Sequence, residues 1–178
     1  MKKKIMCFFT LVMGLIVISF SQKNVYANEE YGEVVDSGSC GADTTYVLYD
    51  SGTLVVSGSG EMEAYAFIGN SNIKSVIVND GITSIGFSTF HSCSGLSSII
   101  IPNSVVSIEI YAFSQCSSLT SIELPSGLTS IEDSAFDGCS SLTSIELPSG
   151  LTSIGNGVFR NCTNLEKIEV DKNNMVSA

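Results

Sequence analysis

The side chains of this 178-residue chain that could do chemistry are six cysteines, one histidine and eighteen carboxylates. Cys93, Cys116, Cys139 and Cys162 recur at a constant step of 23 residues. Thiols repeated in this way could be disulfide partners, metal ligands or core residues. If successive turns of chain stack ~4.8 Å apart, their Cα atoms lie within disulfide reach. Their side chains, however, would point in parallel rather than at each other. A straight column also cannot wrap a tetrahedral zinc ion. With Cys40 the count after residue 27 is five, an odd number that a closed disulfide framework does not use. The thiols therefore read as buried, unpaired, small hydrophobes. No metal and no cofactor is expected.

His91 is the sole histidine, between Phe90 and Cys93. Nucleophilic catalysis needs an imidazole beside a nucleophile and an orienting acid. The many Ser and Thr residues instead fall in repeating columns. Asp133 and Asp137 are a carboxylate pair of the kind used in acid–base work, but nothing in the sequence separates them from solvated loop acids. The chain reads as a non-enzyme. The acids outnumber the bases 18 to 8, and four of the bases (Lys2, Lys3, Lys4 and Lys23) precede residue 28. From residue 28 onward, 18 acids stand against Lys74, Arg160, Lys167 and Lys172, a net charge of −14. This excludes a nucleic-acid binder, whose affinity comes from Lys and Arg, and docking on anionic lipid.

The elements that carry these residues begin after a leader. Lys2 to Lys4 precede an apolar run over residues 5–20, and Val25-Tyr26-Ala27 supplies a cleavage pattern. This is the layout of a signal peptide over residues 1–27, and the run is shorter than the ~20 residues of a spanning helix. The mature chain is expected to be secreted or at the cell surface, without a membrane span. The recurring Leu-Pro-Ser-Gly lacks the Thr-Gly ending of a sortase signal.

The 23-residue step governs much more than cysteine. Phe67, Phe90, Phe113, Phe136 and Phe159 keep it, as do Leu96, Leu119, Leu142 and Leu165, the Ile column from Ile99 to Ile168, and Pro102, Pro125 and Pro148. One 16-residue stretch is identical at 116–131 and 139–154. Within a unit, Ile122 and Leu124 alternate with Glu123 as a strand does, and Pro125 ends it. Residues 128–131 start a second extended segment, and Ala135-Phe136 to Cys139 forms a tight helical or irregular turn. Such a unit buries its apolar face only against stacked neighbours. The expected fold is a β-rich α/β solenoid with parallel strands and a right-handed wind. Ahead of it, residues 45–50 and 53–57 alternate around Ser51-Gly52 and predict a β-hairpin cap with a two-residue turn, laying Val47, Tyr49, Leu54 and Val56 on the first coil.

In phase, Leu, Ile, Leu-Pro, Leu, Ile, Ala-Phe and Cys resemble the BspA-like leucine-rich repeat of secreted and surface proteins. The likeness runs from Ile73 to Val170, and Ser37-Gly38-Ser39-Cys40-Gly41 is similar to the cap segment that precedes such arrays. Asn70 in the Cys column, Asn79 in the Pro column, and Thr89 and Val158 in the Ala column depart from the pattern. With the leader read above, the resemblance gives four segments: signal peptide 1–27, N-terminal β cap 28–61, leucine-rich repeats 62–170 and tail 171–178. It also implies recognition or adhesion, with an extracellular protein or a cell surface as partner.

The outward strand positions are Ile77, Ile100, Glu123, Glu146 and Glu169. Stacked in register, the three glutamates repel one another and favour a basic partner, while Ile77 and Ile100 offer an apolar anchor. These five are the candidate partner-binding residues. The Thr-Ser pairs at 83–84, 129–130 and 152–153 are expected to bond between coils. Charges on the last strand (Glu166, Lys167, Glu169) would guard its edge. Alternatively the array is cut short and self-associates through that end, as a structural or vestigial module; both readings stay open.

Overall fold

In the computed structural model, residues 30–171 are described; the signal-peptide expectation for residues 1–27 and most of the tail fall outside them. The fold is a parallel-strand β-solenoid preceded by an antiparallel meander. Strands β1 (Val34–Ser39), β2 (Thr44–Tyr49) and β3 (Thr53–Gly58) pair antiparallel, and β3 then pairs parallel with β5 (Ser75–Val78) and β5 with β7 (Ser98–Ile100). A second sheet forms from the other extended segment of each unit: β4 (Gly60–Glu61), β6 (Ile82–Ile85), β8 (Ser107–Ile108), β9 (Ser130–Ile131) and β11 (Ser153–Ile154). β10 (Ser144–Leu147) and β12 (Lys167–Val170) make a separate parallel pair.

The α/β character expected from the sequence is not found. Between the two sheets each coil makes turns rather than a helix. The cause lies in the backbone. Tyr65, Ser88, Tyr111, Ser134 and Gly157, one per coil, all have φ between 51° and 63°. A left-handed residue at this point interrupts any right-handed helix. A second one follows four residues on, at Gly69, Ser92, Gln115, Gly138 and Asn161.

The turn thus formed delivers Phe, and then Cys, into the core. Phe90, Phe113 and Phe136 are fully buried, and the rings stack nearly parallel at 5.3–5.5 Å along the axis from Phe67 to Phe136. Phe159 continues the column at 5.9 Å. The five cysteines after residue 27 are buried and free. Each repeat thiol donates to the Phe carbonyl of the coil before: Cys93 to Phe67, Cys116 to Phe90, Cys139 to Phe113 and Cys162 to Phe136, at 3.0–3.2 Å.

The hairpin turn differs from expectation by one residue. Gly52 N–H donates to the Tyr49 carbonyl, Gly52 has φ 86°, and Leu48 pairs with Leu54. The loop is therefore three residues long, and the one-residue shift reverses the faces of β2, while Leu54 and Val56 of β3 lie in the core as expected. Tyr46 and Leu48 turn inward in place of Val47 and Tyr49; Tyr49 is instead buried against Tyr31, with ring centroids 5.5 Å apart, and Tyr46 meets the first Phe ring of the column, Phe67, edge-on at 5.0 Å.

Candidate binding surface

The outward row of the strand face follows from register. Val47 lies opposite Val55, Val55 opposite Ile77, and Ile77 opposite Ile100. Ile100 is 64% exposed, and Val47, Val55 and Ile77 are half-buried. The apolar start of the row is thus twice as long as Ile77 and Ile100 alone. The shorter hairpin loop expected from the sequence turns Val47 to the core and so hides it from the row, whereas Val55 faces outward with either loop length.

Beyond Ile100 the row becomes acidic, and the sheet breaks. Residues 121–124 pair with neither neighbouring strand. The contacts leading into them are long: Thr120 N–H to Ser97 O is 3.5 Å and Thr143 N–H to Thr120 O is 3.4 Å, against 2.9 Å for both Ser97 N–H to Lys74 O and Glu166 N–H to Thr143 O. The second sheet runs unbroken past the same coil, with Ser107, Ser130 and Ser153 in register. The structure therefore opens on the strand side only.

Two crevices result. One, of about 270 Å³, has Ser98, Ile99, Ile100 and Ile101 on one wall and Ser121, Ile122 and Glu123 on the other. The second, of about 340 Å³, lies between Glu123 and Glu146, with Pro148 and Asp171 at its edge. Ile100 and Glu123, which the repeat puts in one column, thus face each other across an opening. Glu146 and Glu169 are true register partners. Glu169 also forms an ion pair with Lys167 at 2.6 Å, both side chains well exposed. A pair so exposed contributes little stability, but it offsets one of the three negative charges. The acidic end of the row is concentrated on Glu123 and Glu146.

Residues weighed for catalysis are differently placed. His91 packs against Tyr111 with ring centroids 6.4 Å apart, and its Nδ1 is buried without a partner among the described residues. Asp133 Oδ1 accepts from the Asn156 amide at 2.5 Å, and Asp137 Oδ1 accepts from Asn161 Nδ2 at 2.8 Å. Each aspartate thus holds the turn of the following coil. The Thr hydroxyls also bridge coils: Thr129 donates to Val106 O and Thr152 to Thr129 O at 2.9 and 3.0 Å. Among the described residues no group of three or more His, Cys, Asp or Glu side chains is arranged to hold a metal ion, and no helix is long and apolar enough to cross a membrane.

Comparison with known proteins agrees with this architecture. Residues 60–176 match the BspA type leucine rich repeat region, in six copies. No curated protein matches the chain. Among solved structures, the chain is similar to the leucine rich repeat protein of T. pallidum, with 27% identity over 69% of this chain and 66% of that one, TM-score 0.62. It is similar to a leucine-rich repeat protein from Eubacterium ventriosum, with 30% identity over 78% of this chain and 45% of that one, TM-score 0.61. A third, from Bacteroides ovatus, shares 29% identity over 78% of this chain and 41% of its own, TM-score 0.61. This chain spans less than two thirds of the length of each. The 23-residue columns, the Phe and Cys ladders and the matched region lead to one assignment: this chain belongs to the BspA-type leucine-rich repeat family.

Proposed function

We propose that the chain is an exported, non-catalytic recognition module that binds a protein or cell-surface partner through its strand face. The observation that carries this reading is the row that changes from Val47, Val55, Ile77 and Ile100 to Glu123 and Glu146, with a crevice at the change. An apolar anchor beside an acidic flank suits a partner with a hydrophobic contact bordered by basic residues. The anchor supplies affinity, and the carboxylates supply selectivity and association rate. Export rests on the Lys2–Lys4 and 5–20 pattern, and β1–β3 serve in this reading as the cap that covers the first coil.

The test is binding of the purified chain to a panel of immobilised extracellular-matrix proteins at two salt concentrations. Saturable binding that weakens at high salt is expected, lost on reversal of Glu123, Glu146 and Glu169 to Lys and weakened by Ile100→Ser. Binding that ignores both changes, or none across the panel, overturns the reading.

A second reading has its own observation. At the last described coil Ile154, Ile168 and Val170 are 46%, 48% and 52% exposed, where their counterparts in inner coils are buried or nearly so. Such a face suits another copy of the chain, giving a self-associating structural module. Light scattering over a hundredfold concentration range distinguishes the two: constant mass supports an external partner, growing mass supports self-association.

A further inference from the structure

A second surface lies on the turn wall, away from the strand face. Tyr65 is 53% exposed and Tyr111 41%, with Phe87 half-buried between them. The ring centroids of Tyr65 and Phe87 are 5.2 Å apart, and those of Phe87 and Tyr111 are 6.1 Å apart. Ile68, 48% exposed, and His91 flank this ridge. The wall then changes abruptly: in the following coils the equivalent positions are Asp133, Ser134, Asn156 and Gly157.

Two features set the ridge apart from ordinary repeat surface. First, Tyr65 and Tyr111 occupy the left-handed position, φ 63° and 58°, that Ser88, Ser134 and Gly157 fill elsewhere. Side chains are disfavoured in that region, and a bulky ring there is uncommon. Second, the ridge ends on acids. Glu63, exposed, lies two residues before Tyr65, and the main-chain oxygen of Asp133, also exposed, accepts the Tyr111 amide at 3.2 Å. The nearest base on this wall, Arg160, falls two coils beyond Tyr111.

We propose that this ridge binds an arginine-bearing polypeptide segment of a partner. A guanidinium is planar, weakly hydrated and always charged; it stacks on aromatic faces and pairs with carboxylates. The ridge offers both within one stretch of wall. The rings are tilted 72° and 90° to their neighbours, so they do not form the coplanar platform that suits the flat face of a sugar chain, and their exposed faces and edges are open to a cation. The surface is separate from the Glu123 and Glu146 row and does not depend on the function proposed for it.

The test titrates the full purified chain with hexa-arginine, hexa-lysine and maltohexaose, following heat and tyrosine fluorescence at two salt concentrations. Hexa-arginine is expected to bind several-fold more tightly than hexa-lysine. Tyr65→Ser/Tyr111→Ser weakens it about tenfold, each ring contributing a few-fold, whereas Tyr65→Phe/Tyr111→Phe keeps it and Glu123→Gln/Glu146→Gln leaves the preference for arginine intact. Serine already occupies this position at Ser88 and Ser134, so the double variant should fold. As a check that needs no variant, hexa-arginine slows nitration of Tyr65 and Tyr111 by tetranitromethane. Equal affinity for the two peptides, binding indifferent to the serine variant, unprotected nitration, or binding of maltohexaose in place of hexa-arginine overturns the proposal.

Discussion

The Cys116 thiol donates to the carbonyl of Phe90, 26 residues earlier and one coil back, at 3.1 Å. The same carbonyl accepts the Cys93 amide at 3.0 Å. Both lone pairs of one oxygen are thus used, one within its own coil and one between coils. Phe113 and Phe136 repeat the arrangement with Cys116 N–H and Cys139 Sγ, and with Cys139 N–H and Cys162 Sγ. The cysteine column is a stitch between coils as well as core filling.

Cys116→Ala removes one such hydrogen bond, worth about 1 kcal/mol, and a buried sulfur worth about another 1 kcal/mol. The Phe90 oxygen keeps its amide donor, so no orphaned acceptor adds to the loss. Urea denaturation should show a fall of about 2 kcal/mol at unchanged slope. A loss within the few tenths typical of surface changes would show that the stitch does not hold the coils.

Burial pushes the Cys93 thiol up to about 11 from its ordinary 9.0, and raises Cys116 and Cys139 further, with neighbouring thiols of the column adding to the effect. Two outcomes follow. Native thiols should resist iodoacetamide at pH 8, because the thiolate is the reactive form, and react once urea unfolds the chain. Stability should also depend on alkali. An unfolded chain releases these protons near pH 9 and the folded chain holds them, so the contribution is full below that pH and is lost as pH rises through the folded values. The urea midpoint should be level from pH 7 to 8.5 and fall from pH 9 to 11. Rapid native alkylation at pH 8 would mean that the column is open to solvent.

Phe113 is fully buried between Phe90 and Phe136, at 5.5 and 5.3 Å, whereas Phe159 has one ring neighbour in the column among the described residues, at 5.9 Å, and is half-buried. Substitution by Ala at Phe113 should cost about 3–5 kcal/mol and at Phe159 clearly less. Thermal melts of the two variants measure the difference. Equal costs would mean that the ladder's interior is no better packed than its end.

Most of the fold was legible in the sequence because the 23-residue step fixes which residues stack, whatever the local conformation. Hence the Phe, Cys and Ile columns and the parallel strands could be read directly. Local backbone choices could not. Serine and tyrosine carry no sign that they will adopt positive φ, so the turns at Tyr65, Ser88, Tyr111 and Ser134 read as possible helix. Loop length at Ser51-Gly52 was ambiguous by one residue, which was enough to hide Val47. The row of Ile77, Ile100, Glu123, Glu146 and Glu169 was visible as a column, but its crevices were not. Two units with identical sequence, 116–131 and 139–154, differ in their strand pairing, and no reading of residue types separates them.

That last contrast makes its own experiment. Ser121-Ile122-Glu123-Leu124-Pro125 and Ser144-Ile145-Glu146-Leu147-Pro148 have the same five residues in the same order. Their unprotected amides therefore exchange at the same chemical rate, and any difference in the folded chain reports structure alone. Residues 144–147 pair along their length with β12, whereas residues 121–124 pair with neither side. Amides lacking a ladder partner and lining a crevice exchange through small local openings rather than global unfolding. Ile122 and Leu124 should therefore exchange at least tenfold faster than Ile145 and Leu147 when followed by NMR, each amide against its counterpart. Ser130 and Ile131, in the unbroken second sheet of the same coil, should stay protected. If the two strand segments exchange alike, the sheet is continuous in solution and the crevice between Ile100 and Glu123 is closed, and with it goes the opening that joins the apolar and acidic parts of the row. If Ser130 and Ile131 exchange as fast as Ile122, the whole coil is loose. The expected pattern, fast on one face and slow on the other, makes this coil a joint at which the strand face opens while the Phe column and second sheet hold the array together.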